Sequence, residues 1–528
     1  MSTFKKFILL ELTFLLSLLV STVPAFANNL SISNVSLEER TPSSNKVVVE
    51  LDVSWDNSWK TKINHDGVWL TVRLYDPTVT PIAKRVCDIS AAGLNPTGTS
   101  KGSNAGLDVY VPTDKKGFFL RPNQFGAFSN SSTTDMQVTI DYSSCGFTNS
   151  DSVQVSVFGL EMVYIPEGQF YAGDYGASTA AFTEGSSDTD PWYISSASAI
   201  SVSNPTSNGY RYVSSGNAGE DTTGSSFTIP ANFPKGYSGF YAMKYELTEG
   251  QWVEFLNALP SHAARVNRDL TNSSHKNTDS VVTRNTINCS GSPLVCSTSR
   301  SQRAVSFLTW TDLAAFLDWA ALRPMTELEF EKVARGPLLA VSGEYAWGTS
   351  LITVAAAISG SNEDGTEIVS TSSANAHYNA TTLTGGDAGS GSNHQTGPLR
   401  VGIFATNSSN RETSGAGYYG VMDFSGNLHE RVVTIGNATG RSYQGTHGDG
   451  VLTTLAGYEG NANQTDWPGI DATITRGVTG AAGSGFRGGA WDDVSSALRI
   501  SDRTNAANGT NQSFNNAGGR GVRTYDGN

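Results

Sequence analysis

Positive charge is scarce in this sequence. The chain of 528 residues has 35 Lys and Arg against 48 Asp and Glu, which gives a formal net charge of −13. A protein with this balance repels phosphate backbones, so we expect no nucleic acid partner. Charged residues make up only 16% of the chain while Gly numbers 55. This composition indicates a loop-rich exported protein rather than a helical cytosolic one.

Long apolar runs are absent after the first 27 residues, so no transmembrane segment is predicted. The first residues carry Lys5 and Lys6, then the run FLLSLLV and the small-x-small triplet AFA, which together predict a signal peptide over residues 1–27. A membrane anchor is the alternative, but Glu11 interrupts the run and the remainder is short for a bilayer. We expect export to the periplasm, the cell surface or the extracellular space. A lipid anchor is not expected, because no Cys follows the predicted cleavage site.

Cysteine is also scarce, and none occurs after Cys296. An even count of four in an exported chain favours disulfides. Cys87 and Cys145 lie in one predicted domain and Cys289 and Cys296 in another, so we predict the pairs Cys87–Cys145 and Cys289–Cys296. A zinc site would need CxxC-like spacing with a nearby His, and the sequence has none.

Helical periodicity is missing from residues 28–158. KVVVELDVSWDNSW alternates apolar and polar residues, as do GLDVYVP and MQVTIDY, and turn residues separate these runs. The pattern predicts a domain over 28–158 that folds as an antiparallel β-sandwich. We interpret it as a module that presents the rest of the chain.

Residues 159–528 form the second predicted domain, in which helix signals come early and irregular loops follow. Helices are predicted after Thr248, within TWTDLAAFLDWAAL, and from Thr326 to a stop at Gly336. Beyond Pro337 the chain consists of Gly-punctuated short strands and long loops. The whole chain is therefore predicted to be α+β, with a sandwich followed by a loop-rich domain.

Seven motifs of this second domain occur in an order that resembles the formylglycine-generating enzyme (sulfatase-modifying factor) family. They are MVYIPEGQFYAGD, YELTEGQWVEFLN, LRPMTELEFEKVARG, EYAWG, YGVMDFSGNLHERV, GFRGGAWDD and GGRGVR. The resemblance covers roughly residues 159–528 and implies a variant of the C-type lectin fold. The enzymes of the family oxidise a substrate cysteine with two copper-binding cysteines near the C-terminus. The resemblance therefore also implies an active site in that region.

Those two cysteines are missing here, because no cysteine follows Cys296. If Arg503 is matched to the family's arginine after the second cysteine, the resemblance places the two positions on Ser495 and Ile500. Copper(I) needs soft sulfur ligands that Ser and Ile cannot supply, so no copper and no oxidase activity are expected. Whether another chemistry remains is left open. A related branch uses a non-haem iron held by histidines, so a metal-dependent oxidoreductase is an alternative. The seven scattered histidines do not favour it, because none forms an HxxH or HxxxH pair; they are His65, His262, His275, His377, His394, His429 and His447.

The loop DFSGNLHE resembles a calcium-binding loop of the family. The resemblance implies Asp423 and Glu430 as side-chain ligands, with the main-chain carbonyls of Gly426 and Leu428 between them. Calcium prefers such hard oxygens, so structural Ca²⁺ is predicted. The alternative is that Asp423 caps a turn and Glu430 pairs with Arg431 or another arginine. A second family calcium loop would fall near Asn375, where an insertion prevents assignment.

The C-terminal loop, residues 492–516, is made mostly of small and polar residues. No charged residue occurs from 504 to 519, and five of those sixteen residues are Asn. Amides and hydroxyls suit adaptable recognition, so we predict that this loop binds a cell-surface protein or glycan. Flanking arginines are expected to hold it by bonding carbonyls and carboxylates. The predicted ligand-binding residues are Asp492, Asp493, Ser495, Ser496, Thr504, Asn505, Asn508, Thr510, Asn511, Ser513, Phe514, Asn515 and Asn516.

The same residues without Phe514 resemble the variable segment of proteins diversified by retroelements at adenine positions. An ordinary Asn-rich loop is the alternative. The sequence therefore predicts an exported, catalytically inactive binding protein of this family. A structural component of a cell-envelope assembly is kept as another alternative.

Overall fold

The computed structural model describes residues 29–185, 189–203, 209–271, 281–360, 367–380, 382–385, 392–406 and 408–527. The predicted signal peptide and His275 lie outside these residues. Within them, no helix is both long enough and apolar enough to cross a membrane. The α+β fold class is confirmed.

The strands of the first 165 residues build a sandwich. They are β1 Ser31–Thr41, β2 Lys46–Lys60, β3 Asp66–Tyr75, β4 Arg85–Val86, β5 Asp88–Ile89, β6 Gly93–Leu94, β7 Thr99–Ser100, β8 Leu107–Val111, β9 Phe118–Pro122, β10 Gly126–Asp141 and β11 Gln154–Ile165.

One sheet of the sandwich has the order β1-β2-β10-β5, with β7 also paired to β10. Strand β2 alternates as its sequence predicts, with Val47, Val49, Leu51 and Val53 buried between half-buried neighbours. These side chains share one hydrophobic cluster with apolar residues of β3 in the facing sheet. The predicted antiparallel sandwich is confirmed.

Later strands and helices belong to the second half of the chain. The strands are β12 Phe170–Ala172, β13 Thr183–Glu184, β14 Trp192–Ile194, β15 Ile200–Val202, β16 Tyr210–Arg211, β17 Phe227–Ile229, β18 Phe240–Met243, β19 Asn288–Ser290, β20 Val295–Ser297, β21 Arg323–Pro324, β22 Ile358–Ser359, β23 Ile368–Val369, β24 His429–Val433, β25 Ser484–Arg487, β26 Ala517–Gly518 and β27 Gly521–Thr524. The helices are α1 Glu249–Ala258, α2 His262–Val266, α3 Trp310–Trp319, α4 Glu327–Arg335, α5 Ser392–Gln395 and α6 Ala438–Arg441. Short 3₁₀ helices cover Pro42–Ser44, Ile474–Arg476 and Ser495–Leu498.

Capping boxes fix the start of the three longer helices. The side chains of Thr248, Thr309 and Thr326 each accept a hydrogen bond from the backbone N–H three residues on. In return, the backbone N–H of each threonine donates to the side chain of that same residue. Such a box satisfies two backbone donors that the helix itself leaves without partners. Helix α4 ends at Gly336, whose φ of 69° suits a residue without a Cβ. All three predicted helices are present.

Strand β11 joins the two predicted domains in one sheet. Its residues from 154 to 163 pair with β3, and Met162–Ile165 pair with β18, which in turn pairs with β27. The sheet therefore runs in the order β21-β27-β18-β11-β3-β9-β8-β6. The predicted division at residue 158 falls inside this strand, so backbone hydrogen bonds continue across it.

Side chains of the sandwich also reach the helices behind the shared sheet. Trp69 donates through Nε1 to the Ala320 carbonyl at 2.9 Å, and Arg73 donates through Nη2 to the Trp319 carbonyl at 2.8 Å. The Arg73 guanidinium lies 3.6 Å from the centre of the Trp319 ring. Strand β3 is buried nearly throughout because it is covered on both faces.

Both predicted disulfides are present, Cys87–Cys145 and Cys289–Cys296. The first lies in the sandwich and the second joins β19 to β20. The described residues contain no free cysteine. No thiol is therefore available to bind copper(I) in the described part of the chain.

Candidate functional site

The C-terminal loop leaves the strand β25 and returns through β26, and both strands pair with β24. None of its thirteen predicted ligand-binding residues is buried. Asp492, Ser496 and Thr504 are exposed, and the other ten are half-buried. Apolar residues of the same stretch, including Ile500 and Ala506, are buried and attach it to the body of the domain. The loop thus presents its polar residues to solvent.

Buried Arg431 holds the middle of this loop. Its Nη1 donates to the Thr510 carbonyl at 3.1 Å and its Nη2 to the Gln512 carbonyl at 2.9 Å. Its Nε donates to the Leu308 carbonyl at 2.9 Å, and its guanidinium lies 4.4 Å from the centre of the Phe486 ring. Burial lowers the pKa of Arg431 to about 9. The sequence suggested Arg431 as a possible partner of Glu430 and did not predict this role.

The two ends of the loop are tied to each other. Nε1 of Trp491 donates to the Asn515 carbonyl at 3.2 Å, and Nδ2 of Asn516 donates to Asp492 Oδ1 at 2.9 Å. Asp493 is fixed separately, because its Oδ2 lies 3.0 Å from Nε2 of His429. These contacts bring Asp492, Asn515 and Asn516 together as one patch.

Two arginines at the base of the loop share Glu327 of α4. Arg487 bonds Glu327 Oε2 at 3.1 Å and Glu331 at 2.7 Å, and Nε of Arg503 donates to Glu327 Oε2 at 2.7 Å. All four side chains are fully buried. Burial alone would raise the pKa of Glu327, but Arg503 and Arg487 hold it below its usual value. These arginines build the support of the loop, as expected from the sequence.

The remaining flanking arginines also bond atoms of the chain. Nη1 of Arg499 donates to the Ala177 carbonyl at 2.8 Å. Arg523 pairs with Asp114 of the sandwich, and its guanidinium lies 4.3 Å from the centre of the Trp69 ring. The sandwich therefore contributes directly to the anchoring of the C-terminal strand.

One side of the loop forms the wall of a polar groove with a volume of about 630 Å³. Asn511, Gln512 and Ser513 form this wall, and Thr309 and Thr311 at the start of α3 lie beside them. The Thr311 N–H donates to Asn511 Oδ1 at 3.1 Å, and Ser513 Oγ donates to the Phe307 carbonyl at 2.8 Å. Of the thirteen predicted residues, only Asn511 and Ser513 line this groove in the described chain.

The opposite side of the groove comes from segments that sequence reasoning did not select. Asn267 and Arg268 follow α2, while Tyr458, Asn461 and Thr479 lie on the loops before and after residue 470. These segments carry no motif, and only their meeting in the fold creates the groove. The polar composition of these loops was the one feature of the sequence that could have indicated a binding surface there.

Ser495 and Ile500, the two positions that the resemblance matches to the family's catalytic cysteines, lie in different environments. Ser495 is half-buried at the start of a 3₁₀ helix. Ile500 is fully buried, its N–H donates to the Glu344 carbonyl at 3.1 Å, and its carbonyl accepts from Arg487 at 2.6 Å. Neither side chain can bind copper as a thiolate does.

The loop predicted to bind calcium has buried carboxylates with partners inside the chain. Asp423 Oδ2 accepts from the Gly402 N–H at 2.7 Å, and Glu430 Oε1 accepts from Nε of Arg520 at 2.6 Å. Gly426 has a φ of 95°, and a Cβ there would lie 2.5 Å from the His377 carbonyl. The loop is therefore as tight as predicted, while Glu430 is paired with an arginine.

A third carboxylate, Glu246, lies against the same loop. Its Oε1 accepts from the Leu428 N–H at 3.0 Å, and its Oε2 accepts from Nδ2 of Asn427. Burial and the charges of Asp423 and Glu430 raise the pKa of Glu246 well above its usual value.

The contacts of Glu430 decide how much room the loop leaves for a cation. Glu430 Oε2 is buried without a hydrogen-bond partner in the described chain, which a cation could satisfy. However, Arg520 already lies against this carboxylate, and the described residues include no group of three His, Cys, Asp or Glu placed to hold a metal. Glu430 is thus paired with an arginine, as in the alternative interpretation, and the calcium ligand set of Asp423, Gly426, Leu428 and Glu430 stays a prediction.

Two of the described histidines, His65 and His377, have different partners. Nε2 of His65 lies 2.9 Å from the Tyr241 hydroxyl, and Nε2 of His377 lies 2.9 Å from the Gly397 carbonyl. Burial is the main cause that lowers the pKa of His65 to about 3 and that of His377 to about 4. Both are therefore neutral at neutral pH.

Comparison with protein families identifies the second half of the molecule. The family model described as the sulfatase-modifying factor enzyme 1-like domain matches residues 154–525, from the first residue of β11 to the residue after β27. No curated protein matches the chain. With the ordered motifs and the α+β architecture already described, this match shows that the chain belongs to the sulfatase-modifying factor enzyme 1-like (formylglycine-generating enzyme) domain family.

Proposed function

We propose that this chain is an exported, catalytically inactive member of its family that binds a cell-surface protein or glycan through its C-terminal loop. The observation that carries the proposal is the combination of an exposed polar loop with a buried anchor. None of the thirteen predicted residues is buried, while Arg431 beneath them is fully buried and bonds two loop carbonyls.

Rigid attachment favours recognition. A loop that is already ordered loses little conformational freedom when it binds, so more of its interaction energy remains as affinity. The ion pairs of Glu327 with Arg487 and Arg503, and the hydrogen bond between Asn516 and Asp492, hold the two ends of the loop in place. The amides and hydroxyls between these ends can then donate and accept hydrogen bonds from a partner.

Catalytic inactivity is inferred from the chemistry of the replaced positions. Ser495 and Ile500 stand where the family has its copper-binding cysteines, and all four cysteines of the chain form disulfides. The disulfides also support export, since such bonds persist mainly in oxidising compartments.

Exposure of the loop also supports the hypothesis of diversification. Exposed and half-buried polar residues can change with effects mostly within about 0.5 kcal/mol on stability. Asn505, Asn508 and Thr510 are such positions, whereas Arg431 and Glu327 are not. Sequences of the same gene from sister strains should differ mainly between residues 492 and 516.

The binding proposal is tested with the full chain, labelled and incubated with intact cells, and binding is measured by flow cytometry. In the test variant, Asn505, Asn508, Thr510 and Asn515 are changed to Ala. We expect binding to fall at least tenfold while the thermal unfolding midpoint is retained. The control variant changes Ser129, Ser132 and Thr134 to Ala, which are exposed polar residues of β10. Equal loss in both variants contradicts the proposal.

The inactivity proposal has its own measurement. The chain is incubated with copper(I) and a cysteine-containing peptide, and the peptide is analysed by mass spectrometry for the aldehyde product. We expect no aldehyde. Its formation above a copper-only control would overturn this part of the proposal without deciding the binding part.

A further inference from the structure

We propose that the polar groove beside the C-terminal loop is the binding site for a short neutral oligosaccharide. The groove has a volume of about 630 Å³, within the range of small-ligand sites. The proposal rests on the proposed function in one respect, because Asn511, Gln512 and Ser513 belong to the C-terminal loop. It goes further by naming the ligand class and by including residues outside the loop.

The charge in the described lining of the groove is neutralised by another side chain of the protein. Arg268 is its one charged lining residue within the described chain, and that side chain is nearly fully buried. Its Nη1 bonds Asp312 Oδ1 at 2.7 Å, and its Nη2 donates to Asn461 Oδ1. A charged ligand would therefore meet no free opposite charge, which favours a neutral one.

The lining groups match the hydroxyls of a sugar. Amides and hydroxyls can each both donate and accept hydrogen bonds, as sugar hydroxyls do. In the described chain, the Gln512 side-chain amide and the Tyr458 hydroxyl have no intramolecular hydrogen bond, and Arg268 Nε is buried without one. Gln512 is exposed and Tyr458 is half-buried, so their side-chain amide and hydroxyl are within reach of a polyhydroxylated ligand.

The far wall of the groove is fixed before any ligand arrives. Nδ2 of Asn267 donates to the Glu459 carbonyl at 3.0 Å, and Nδ2 of Asn461 donates to the Arg476 carbonyl at 2.9 Å. The Arg476 guanidinium lies 5.1 Å from the centre of the Tyr458 ring and orients it. A half-buried tyrosine in this position offers an apolar face and a polar tip, which suits the C–H face and hydroxyls of a sugar.

An extended peptide is the less favoured occupant. Peptide recognition depends on pockets that take apolar or charged side chains. Val478 is the one aliphatic residue in the described lining, and it is buried. The groove thus offers hydrogen bonds along its length rather than a side-chain pocket.

The test uses the full chain on an array of immobilised neutral, carboxylated and sulfated oligosaccharides, followed by calorimetry with the strongest binder. We expect neutral oligosaccharides to bind. Tyr458→Ala and Gln512→Ala should each weaken binding at least tenfold. Ser129→Ala, at an exposed residue of β10 outside both the groove lining and the C-terminal loop, should leave binding unchanged. Tyr458→Phe keeps the ring and the fold while removing the hydroxyl, and should weaken binding by a smaller factor.

The outcomes separate this proposal from the proposed function. Binding of acidic oligosaccharides only, or of none, overturns the groove proposal. Neutral binding that survives Tyr458→Ala but is lost in Asn515→Ala or Asn516→Ala also overturns it, while loop-dependent recognition stands. Equal unfolding midpoints for wild type and Tyr458→Phe ensure that lost binding reports the groove rather than the fold.

Discussion

Arg431 and Gln512 are joined by a hydrogen bond from a fully buried guanidinium to an exposed residue of the C-terminal loop. Nη2 of Arg431 donates to the Gln512 carbonyl at 2.9 Å. The contact is made to the backbone, so it does not depend on which side chain occupies position 512. Side chains of a loop held in this way can be substituted while its backbone conformation is retained.

Replacement of Arg431 should loosen the loop without unfolding the domain. Arg431→Met removes hydrogen bonds to the carbonyls of Thr510, Gln512 and Leu308. Each net loss is about 1 kcal/mol. We expect amide hydrogen exchange at residues 508–516 to accelerate at least tenfold, measured by mass spectrometry. Arg499→Met is the control, because its Nη1 bonds the Ala177 carbonyl outside the loop. Unchanged exchange in Arg431→Met would contradict the anchoring role.

Removing one partner of the buried ion pair between Glu327 and Arg487 should strongly destabilise the protein. Arg487→Met leaves Glu327 and Glu331 buried with less positive charge, at a cost of about 3–5 kcal/mol. The thermal unfolding midpoint should therefore fall clearly, as measured by calorimetry. Arg503 remains beside Glu327, so Arg487→Met combined with Glu331→Gln should recover part of the loss. No recovery in the double variant would show that packing, not charge, dominates.

The ion pairs of Glu327 should make the free energy of unfolding decrease in acid. The pKa of Glu327 in the folded chain lies below its usual value of 4.5, because Arg503 and Arg487 outweigh the effect of burial. Its stabilising contribution is therefore complete above pH 4.5 and is lost as the pH falls below that value. Unfolding measured by circular dichroism from pH 6 to pH 3 should show this decline, and it should be smaller in Glu327→Gln. Identical declines in the two proteins would exclude Glu327 as its source.

Asp318, near the end of α3, should have the opposite pH dependence. Burial raises the pKa of Asp318 from 3.8 to about 7, despite hydrogen bonds from the N–H groups of Asn463 and Asp449. Between these pH values the unfolded chain has released this proton and the folded chain retains it, so stability falls as the pH rises. The limiting slope is about 1.4 kcal/mol per pH unit. Asp318→Asn should remove this slope in denaturant titrations between pH 4 and pH 7, and a retained slope would contradict it.

Calcium removal tests the role of Arg520. Its guanidinium already supplies a positive charge to Glu430, so chelation with EDTA should shift the unfolding midpoint by no more than the error of calorimetry. Arg520→Met leaves Glu246, Asp423 and Glu430 with less positive charge, and added calcium should then raise its midpoint more than that of wild type. A clear loss of stability on chelation of the wild type would instead support the calcium site predicted from the sequence.

The sequence by itself determined features that depend on near neighbours in the chain. Alternation in β2 placed Val47, Val49 and Leu51 inside the sandwich, and Thr248 and Thr326 set the starts of their helices. The polar, uncharged composition of residues 504–519 indicated that this stretch would not fill a core. In each case, the feature depends on the pattern formed by residues only a few positions apart in the sequence.

Only the tertiary structure decided which distant groups meet. Arg431 lies about eighty residues before the carbonyls that it bonds, and Glu430 is paired with Arg520 rather than with its neighbour Arg431. The groove joins Arg268 to Asn511 across most of the domain. Long polar side chains can reach many partners, and the packing of the shared sheet and helices selects one of them. Local sequence patterns do not contain that selection, because it depends on the whole buried network.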